Sequence, residues 1–353
     1  MAAVEPARAE VSSRARAPWA LLDLLVTGYL GLLCVAALQG DGPQRRVCLV
    51  STFALFAFHA LTTTLVRTHG GGGVGIALLY RIGTYGTLQT SYFVLRPLLP
   101  TARSVAYDAQ LYALDVRLFG VEPTLWVDRF ITPAFVEWFA FFYFSYFVLV
   151  ALHFLPMVFF SRRPRLFAEF AMSSFLLFCS AHLLYFVVPG WGPYRFLAGH
   201  YVHALPHGRW YDLVLETVNA GGALKDIFPS LHTAGPTLMA LFSFRHRDKL
   251  PFKYTWPLVA FFALNIMAAT IVLRWHYLID VIAGVTLALV MVRLGAALAR
   301  WDEDRRAARG LPPTWPVLWG VVPEPVERRP PSMWSALRWW PAPDAPPRDD
   351  RRE

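Results

Sequence analysis

The stretch RWHYLID at 274–280 places an arginine, a histidine and an aspartate between two long apolar runs. Ionisable groups are costly in hydrocarbon, so a cluster of them at such a junction indicates a functional site. His276 and Asp280 are four residues apart, a spacing that puts both on one face of a helix. A carboxylate in that position can hold one imidazole nitrogen protonated and leave the other free as a nucleophile.

A second polar stretch, FPSLHTAG at 228–235, has the residues of a helix start. Pro229 and Ser230 are typical of the first positions, where free backbone N–H groups and the helix dipole favour an anion. His232 follows within the first turn, where it can donate a proton to a leaving group. Arg96 offers a planar guanidinium for phosphate oxygens. Together these residue types predict phosphoryl transfer without a metal.

These residues lie in a chain with the composition of a membrane protein. Of its 353 residues 56% are apolar and only 16% are charged, and the mean hydropathy is +0.41. A helix needs roughly 20 residues to cross a bilayer. Runs near this length, the shortest being the sixth, lie at 19–38, 47–66, 75–95, 134–160, 166–188, 231–245, 254–273 and 277–299. The pattern predicts an all-α polytopic bundle of about eight transmembrane helices, six of them forming a core.

Arginines between the runs predict the orientation of the bundle. The densest clusters after the N-terminal arginines are SRRPR, RHRDK and RWDEDRR, and cytoplasmic loops are rich in such clusters. With these loops inside, both termini are cytoplasmic, and LRPLLP, PGWGPYRF, FPSLHTAG and RWHYLID all reach the extracytoplasmic face. The net charge of +9 resides in these loops, so no nucleic-acid partner is expected.

The chain divides into three predicted segments. Residues 1–74 form a cytoplasmic segment with two extra transmembrane helices, and 75–300 form the catalytic membrane domain. Eleven of the 27 prolines in the chain lie in 311–353, which predicts that residues 301–353 form a disordered cytoplasmic tail. The segment 103–119 is too polar to span and is predicted to lie as a helix on the outer interface. The three cysteines form neither a disulfide nor a zinc pattern.

The polar motifs also resemble those of a known family. PSLH followed by HYLID resembles the second and third signature motifs of the type 2 phosphatidic acid phosphatase (PAP2) superfamily, and RP at 96–97 resembles the end of its first motif. YDAQLYALDVRLFGVEP at 107–123, FPSLH, and WHYLIDVIAG at 275–284 resemble the inositolphosphotransferase branch, which includes fungal inositol phosphorylceramide synthase. The resemblance covers about residues 75–300.

This resemblance implies a role for each matching residue. His276 is the expected nucleophile, forming a phosphohistidine, and Asp280 orients it. His232 is the expected general acid and then general base. Ser230 and Arg96 are expected to bind phosphate.

The chain departs from the phosphatase pattern at two positions. Gln89 and Thr270 stand where that pattern has a phosphate-binding lysine and arginine. Arg274, Lys225 and Arg195 are the candidates that could substitute for them. The two losses favour the transferase-like branch over a simple phosphatidate phosphatase.

The sequence therefore predicts a metal-independent, cofactor-free membrane enzyme that transfers a phosphoryl or phospho-head-group unit through phosphohistidine. Its expected donor is a phospholipid or sphingolipid, and its acceptor is water, inositol or another alcohol, which no residue identifies. Two alternatives stay open. One is a lipid-phosphate or polyprenyl-phosphate phosphatase; the other is a transporter or scaffold that keeps the fold without the chemistry.

Overall fold

The computed structural model describes residues 17–69, 73–223 and 225–319. It is all-helical, with 77% helix and no strand in the described residues. The helices are α1 (Leu21–Gln39), α2 (Arg45–Thr68), α3 (Val74–Ala102), α4 (Asp108–Phe119), α5 (Pro123–Val127), α6 (Pro133–Phe160), α7 (Pro164–Val187), α8 (Pro193–Phe196), α9 (Arg209–Gly221), α10 (Leu231–Arg245), α11 (Phe252–Val272) and α12 (Leu278–Ala308).

Six of the described helices are long and apolar enough to cross a membrane, namely α1, α2, α6, α7, α11 and α12. The expected count of about eight is therefore not confirmed. Helix α10 has only 15 residues, which at 1.5 Å per residue is short of the ~30 Å hydrocarbon layer. Helix α3 has 29 residues but carries Arg81 and Arg96 among its polar side chains.

One end of the bundle is closed by a buried ion pair. The Nε atom of Arg67, at the end of α2, lies 2.8 Å from Oδ2 of Asp23 near the start of α1. Tyr80, near the start of α3, donates to Asp23 (2.6 Å) and accepts from Arg67 (2.8 Å). Near the end of α12, Asp302 accepts from the N–H of Leu21. The start of α3 therefore lies level with the ends of three membrane-spanning helices.

The segment after residue 300 is folded over its described length. The predicted tail begins at 301, but α12 continues to Ala308. Trp315 is 1% exposed and packs on Tyr80, Tyr85 and Phe167. A long helix followed by a buried indole replaces the expected disorder up to 319; the remainder of the predicted tail lies outside the described residues, as does the N-terminal segment before 17.

The buried face of helix α4 contains acidic side chains. Its aspartates Asp108 and Asp115 are buried (3% and 0% exposed), whereas Leu118 is 55% exposed. The prediction of a helix in this segment is confirmed, but the face that packs on the protein combines these two acids with Leu111, and Gln110 and Arg117 are exposed. The reason is chemical, because both carboxylates accept backbone N–H groups of neighbouring loops.

Candidate active site

His276 lies in the turn between α11 and α12. The N–H groups of Trp275 and His276 both donate to the carbonyl of Thr270, which closes the end of α11. Helix α12 begins only at Leu278, so His276 precedes it and does not share a helix face with Asp280. The pair is joined around the helix start instead: Nδ1 of His276 lies 3.5 Å from Oδ2 of Asp280, and both side chains are buried.

Asp280 has two partners in this turn. Its Oδ2 also accepts the N–H of Tyr277 at 2.9 Å, which caps the start of α12. Asp115 of α4 accepts the next two N–H groups, from Leu278 at 2.7 Å and Ile279 at 2.9 Å. Carboxylates at a helix N-terminus are stabilised by its free N–H groups and dipole. Two acids therefore fix the backbone that carries His276.

The start of α10 lies against the same backbone. The N–H of Ser230 donates to the carbonyl of Asp280 at 3.1 Å, and the Ser230 hydroxyl accepts the N–H of Thr233. A Cβ atom on Gly284 would lie 2.6 Å from the Ser230 carbonyl, so only glycine permits this approach. The two helix starts, each a favourable environment for an anion, are thus brought together.

His232 lies on the first turn of α10 in an aromatic environment. Its ring stacks on Tyr143 (4.3 Å between centroids, 12° between planes) and contacts Tyr146 at 4.3 Å and Phe147 at 6.3 Å. The Nε2 atom is buried and has no hydrogen-bond partner among the described residues. An imidazole nitrogen in this situation is available to a ligand.

Loop 189–192 forms a further side of the site. Asp108 accepts the N–H groups of Trp191 and Gly192, at 2.9 and 2.8 Å, and the hydroxyl of Tyr277 at 3.2 Å. Gly192 has φ +94°, and a Cβ there would lie 2.7 Å from the carbonyl of Trp275. Glycine is therefore required for the loop to approach the residue before His276.

Two predicted phosphate ligands flank one indole ring. The guanidinium of Arg195 lies 3.8 Å from the centroid of Trp191, and Nζ of Lys225 lies 5.2 Å from it. Lys225 also donates to the carbonyls of residues 103, 104 and 105. Arg195 makes no side-chain hydrogen bond to any described residue, which leaves its donors available.

The other two predicted arginines are occupied by protein groups. Arg96 donates to the carbonyls of Gly222 (2.8 Å) and Asn219 (2.9 Å) at the end of α9. Arg274 has φ +63°, and its Nη2 lies 2.7 Å from Asp128. Nη2 also donates to a loop carbonyl, and the guanidinium covers a tyrosine ring. In this structure both arginines fix loops, and their binding of phosphate stays a prediction.

Asp226 is a residue of the site that the sequence analysis did not single out. It lies four residues before Ser230, and its carboxylate accepts the Tyr92 hydroxyl at 3.1 Å. Burial raises the pKa of Asp226 to about 6, with the nearby charge of His276 opposing the shift. Burial lowers the pKa of His276 to about 4, against the opposing charge of Asp226. The sequence signal for it was an acid two residues before FPSLH.

Neutral His276 is the form that can act as a nucleophile, and the lowered pKa favours it at neutral pH. No group of three or more His, Cys, Asp or Glu side chains arranged to hold a metal is present in the described parts of the chain. The arrangement offers a nucleophile, an orienting acid, a second imidazole and two helix starts. These are the elements of phosphoryl transfer through a covalent intermediate.

Comparison with known proteins identifies the family. The model of the PAP2 superfamily matches residues 109–294, more than half of the chain. This chain belongs to the PAP2 superfamily. Neither the curated proteins nor the solved structures contain a match to it. Members of the superfamily are generally phosphoesterases, and membership suggests a phosphatase or phosphotransferase acting on lipid phosphates.

The PAP2 match extends from α4 into α12. It includes His232, His276 and Asp280 but stops short of Arg96, which lies on α3. The membrane-spanning helices α1 and α2 and the helix α3 are additions to the matched region. The apolar helices and the family together indicate a multi-pass membrane protein.

Proposed function

We propose that this PAP2 protein is a lipid phosphotransferase or phosphatase that works through a phosphohistidine on His276. The observation that carries the proposal is the hydrogen bond between Ser230 and Asp280, which brings the His232 helix start beside the His276 turn. The sequence alone could not require this contact. The catalytic and phosphate-binding roles below follow from it.

In the first half-reaction, the free nitrogen of His276 attacks phosphorus while Asp280 holds the ring. The bond from phosphorus to the leaving oxygen breaks, and His232 supplies a proton to that oxygen. Arg195 and the N–H groups at the start of α10 bind the phosphoryl oxygens, and Lys225, whose Nζ already donates to three carbonyls, contributes its charge. In the second half-reaction His232 removes the proton of the acceptor hydroxyl, whose oxygen attacks phosphorus and displaces His276.

The proposed donor is a phospholipid or sphingolipid, and the proposed acceptor is water, inositol or another alcohol. The test is purified protein incubated with a panel of phosphate-labelled lipids, with and without inositol. New labelled head-group products would support transfer, and free phosphate alone would support the phosphatase alternative. Absence of turnover on the whole panel, together with an intact fold, would favour a transporter or scaffold.

We propose eight crossings, with both termini cytoplasmic and the site on the extracytoplasmic side. Helix α3 supports an additional crossing because its two ends lie at opposite ends of the bundle. Tyr80 donates to Asp23 at the end with the buried ion pair, and the carbonyl of Arg103, directly after α3, accepts from Lys225 beside the site. Helix α10 likewise runs from Ser230 at the site to His246, which lies 3.3 Å from Glu169 of α7. The arginine-rich loops lie at the end remote from the site.

Single cysteines test this orientation. Arg162→Cys and Asp248→Cys are at exposed positions of the arginine-rich loops, and Val202→Cys is in an outer loop where Val202 is 84% exposed. We expect impermeant maleimide to label Val202→Cys from outside and the other two only after permeabilisation. The reverse pattern would place the site at the inner leaflet.

A further inference from the structure

Asp226 is held in place by contacts on both sides of its loop. Its backbone pairs with Gly190 in an isolated bridge. The preceding Lys225 has φ +66° and is fixed by the three carbonyls that its Nζ contacts. A lysine at positive φ is uncommon and is maintained only where its surroundings hold it. These contacts therefore fix the loop that carries the Asp226 carboxylate.

The carboxylate is oriented by a residue from outside the matched region. The Tyr92 hydroxyl donates to Oδ2 of Asp226 at 3.1 Å and accepts the N–H of Ala223 at 3.3 Å. Tyr92 lies on α3, which the family match does not include. Asp226 is half-buried as a residue, which removes enough solvent to raise its pKa and still leaves a side from which a ligand can reach it.

The reacting groups lie on either side of Asp226. The next residue, Ile227, packs against the loop that approaches His276, since a Cβ on Gly192 would lie 3.4 Å from the Ile227 side chain and 2.7 Å from the carbonyl of Trp275. The Asp226 carboxylate opposes the lowering of the pKa of His276. The charge of Asp226 also acts on Tyr143, the ring on which His232 stacks. The carboxylate is therefore near both the nucleophile and the proposed proton acceptor.

A carboxylate at this place is unsuited to binding phosphate, because two anions repel. It is suited to a group that donates a hydrogen bond, and the reaction brings one such group to phosphorus, the hydroxyl of the acceptor. We propose that Asp226 is a catalytic residue that binds the acceptor while Tyr92 fixes its orientation. Its carboxylate accepts a hydrogen bond from the O–H that keeps its proton, which is the second O–H of an attacking water or a neighbouring hydroxyl of a polyol.

This inference rests on the proposed function and adds a step to its second half. The acceptor oxygen, oriented by Asp226, forms a bond to phosphorus as the bond from phosphorus to His276 breaks. The imidazole nitrogen of His276 keeps the electron pair, and the hydroxyl proton passes to His232. Asp226 takes no part in forming the phosphohistidine, so the two half-reactions must respond differently to its loss.

The test separates those half-reactions in Asp226→Asn, Tyr92→Phe and the control Glu137→Gln. Glu137 accepts the N–H groups of Trp210 and Tyr211, and neither of these contacts involves His232 or His276. A labelled donor lipid is used to measure phosphoenzyme formation in a single turnover. Breakdown of the labelled enzyme is then followed in buffer alone and with added glycerol.

We expect Asp226→Asn to form phosphoenzyme at the rate of the unmodified protein. Breakdown of its phosphoenzyme should be slower by about tenfold or more, which is the effect expected from loss of a hydrogen bond to a charged group. Tyr92→Phe should raise the glycerol concentration for half-maximal transfer, with little change in formation. Glu137→Gln should change neither rate. Retention of phosphoenzyme formation also shows that each variant is folded.

Other outcomes overturn the inference. Equal slowing of formation and breakdown in Asp226→Asn would mean that the carboxylate acts on His276 and not on the acceptor. Unchanged breakdown would mean that it has no part in the reaction. Absence of any covalent label in the unmodified protein would instead refute the proposed function, which makes the two failures distinguishable.

Discussion

The backbone N–H of Ser230 donates to the backbone carbonyl of Asp280 at 3.1 Å, so the residue that begins α10 is bonded to the residue that orients His276. The side chain of Asp280 meanwhile accepts the N–H of Tyr277 and lies 3.5 Å from His276. One residue therefore links both helix starts and the nucleophile. Changes to its side chain that spare its backbone should separate catalysis from folding.

Asp280→Asn is expected to fold and to lose about 10²- to 10⁴-fold in turnover, as when the acid that orients a catalytic histidine is neutralised. The asparagine oxygen can still accept the N–H of Tyr277, which preserves the start of α12. Turnover of a labelled lipid and size-exclusion profile in detergent check the two parts. Activity within threefold of the unmodified protein would remove Asp280 from the mechanism.

The pH dependence of phosphoenzyme formation should report His276. Because burial lowers the pKa of His276 to about 4, the reactive neutral form persists well below the usual histidine value of 6.5. With a labelled donor whose leaving group needs no proton from His232, formation should be nearly flat from pH 8 to about pH 5 and fall as the pH drops through about 4. The groups nearest this ring are Asp226, Asp280 and His232. A midpoint near 6.5 in single-turnover labelling would contradict the assigned environment.

The two arginines nearest the motifs should behave differently. Arg274 and Asp128 form a buried ion pair at 2.7 Å, and loss of one partner costs about 3–5 kcal/mol of stability. Arg274→Met should therefore lower thermal stability, and Asp128→Asn in the same chain should restore part of it. Thermal unfolding in detergent measures both.

Arg195→Gln should leave stability unchanged, since its guanidinium contacts only the Trp191 face among the described residues. Its effect should be a KM for the donor lipid raised about tenfold or more, from lost charge-assisted contacts to phosphate. If Arg274→Met raised KM with normal stability while Arg195→Gln did nothing, the assignment of the two arginines would have to be exchanged.

Activity should not depend on a divalent metal. No group of three or more His, Cys, Asp or Glu side chains in the described residues is arranged to hold a metal ion. Turnover is expected to survive excess EDTA and to be inhibited by vanadate, which mimics five-coordinate phosphorus. Complete loss with EDTA and recovery with magnesium would refute this prediction.

The motifs predicted the family of the chain correctly and part of the geometry of the site incorrectly. The residue types suggested a proton donor at His232, a nucleophile at His276 and an orienting acid at Asp280. All three lie within the region that matches the PAP2 superfamily. The helix-face argument for His276 and Asp280 was wrong because α12 begins after His276. Spacing alone does not tell whether two residues lie along a helix or around its start.

Arg274 shows a second limit of pattern reading. It is two residues from His276, yet its φ of +63° turns the side chain toward Asp128. The periodicity of apolar residues does not reveal where a residue other than glycine or asparagine has a positive φ. Proximity to His276 in the sequence therefore does not by itself place the Arg274 guanidinium beside a phosphate, and its binding of phosphate stays a prediction.

Helix α4 shows why amphipathicity is ambiguous at a membrane. Asp108 and Asp115 are buried together with Leu111, whereas Leu114 and Leu118 are exposed. In water the apolar face would be buried, but beside lipid the apolar face can be the outer one. The acids consequently pack inward on the site loops, where they accept backbone N–H groups.

The central claim is that His276 carries the phosphoryl group and His232 only moves protons. The most direct measurement is peptide mapping of acid-labile, base-stable label after brief incubation with a labelled donor that has a good leaving group. We predict label on His276 in the unmodified protein, persistent label in His232→Ala, and none in His276→Ala. Label retained in His276→Ala and absent from His232→Ala would reverse the two roles and contradict the mechanism.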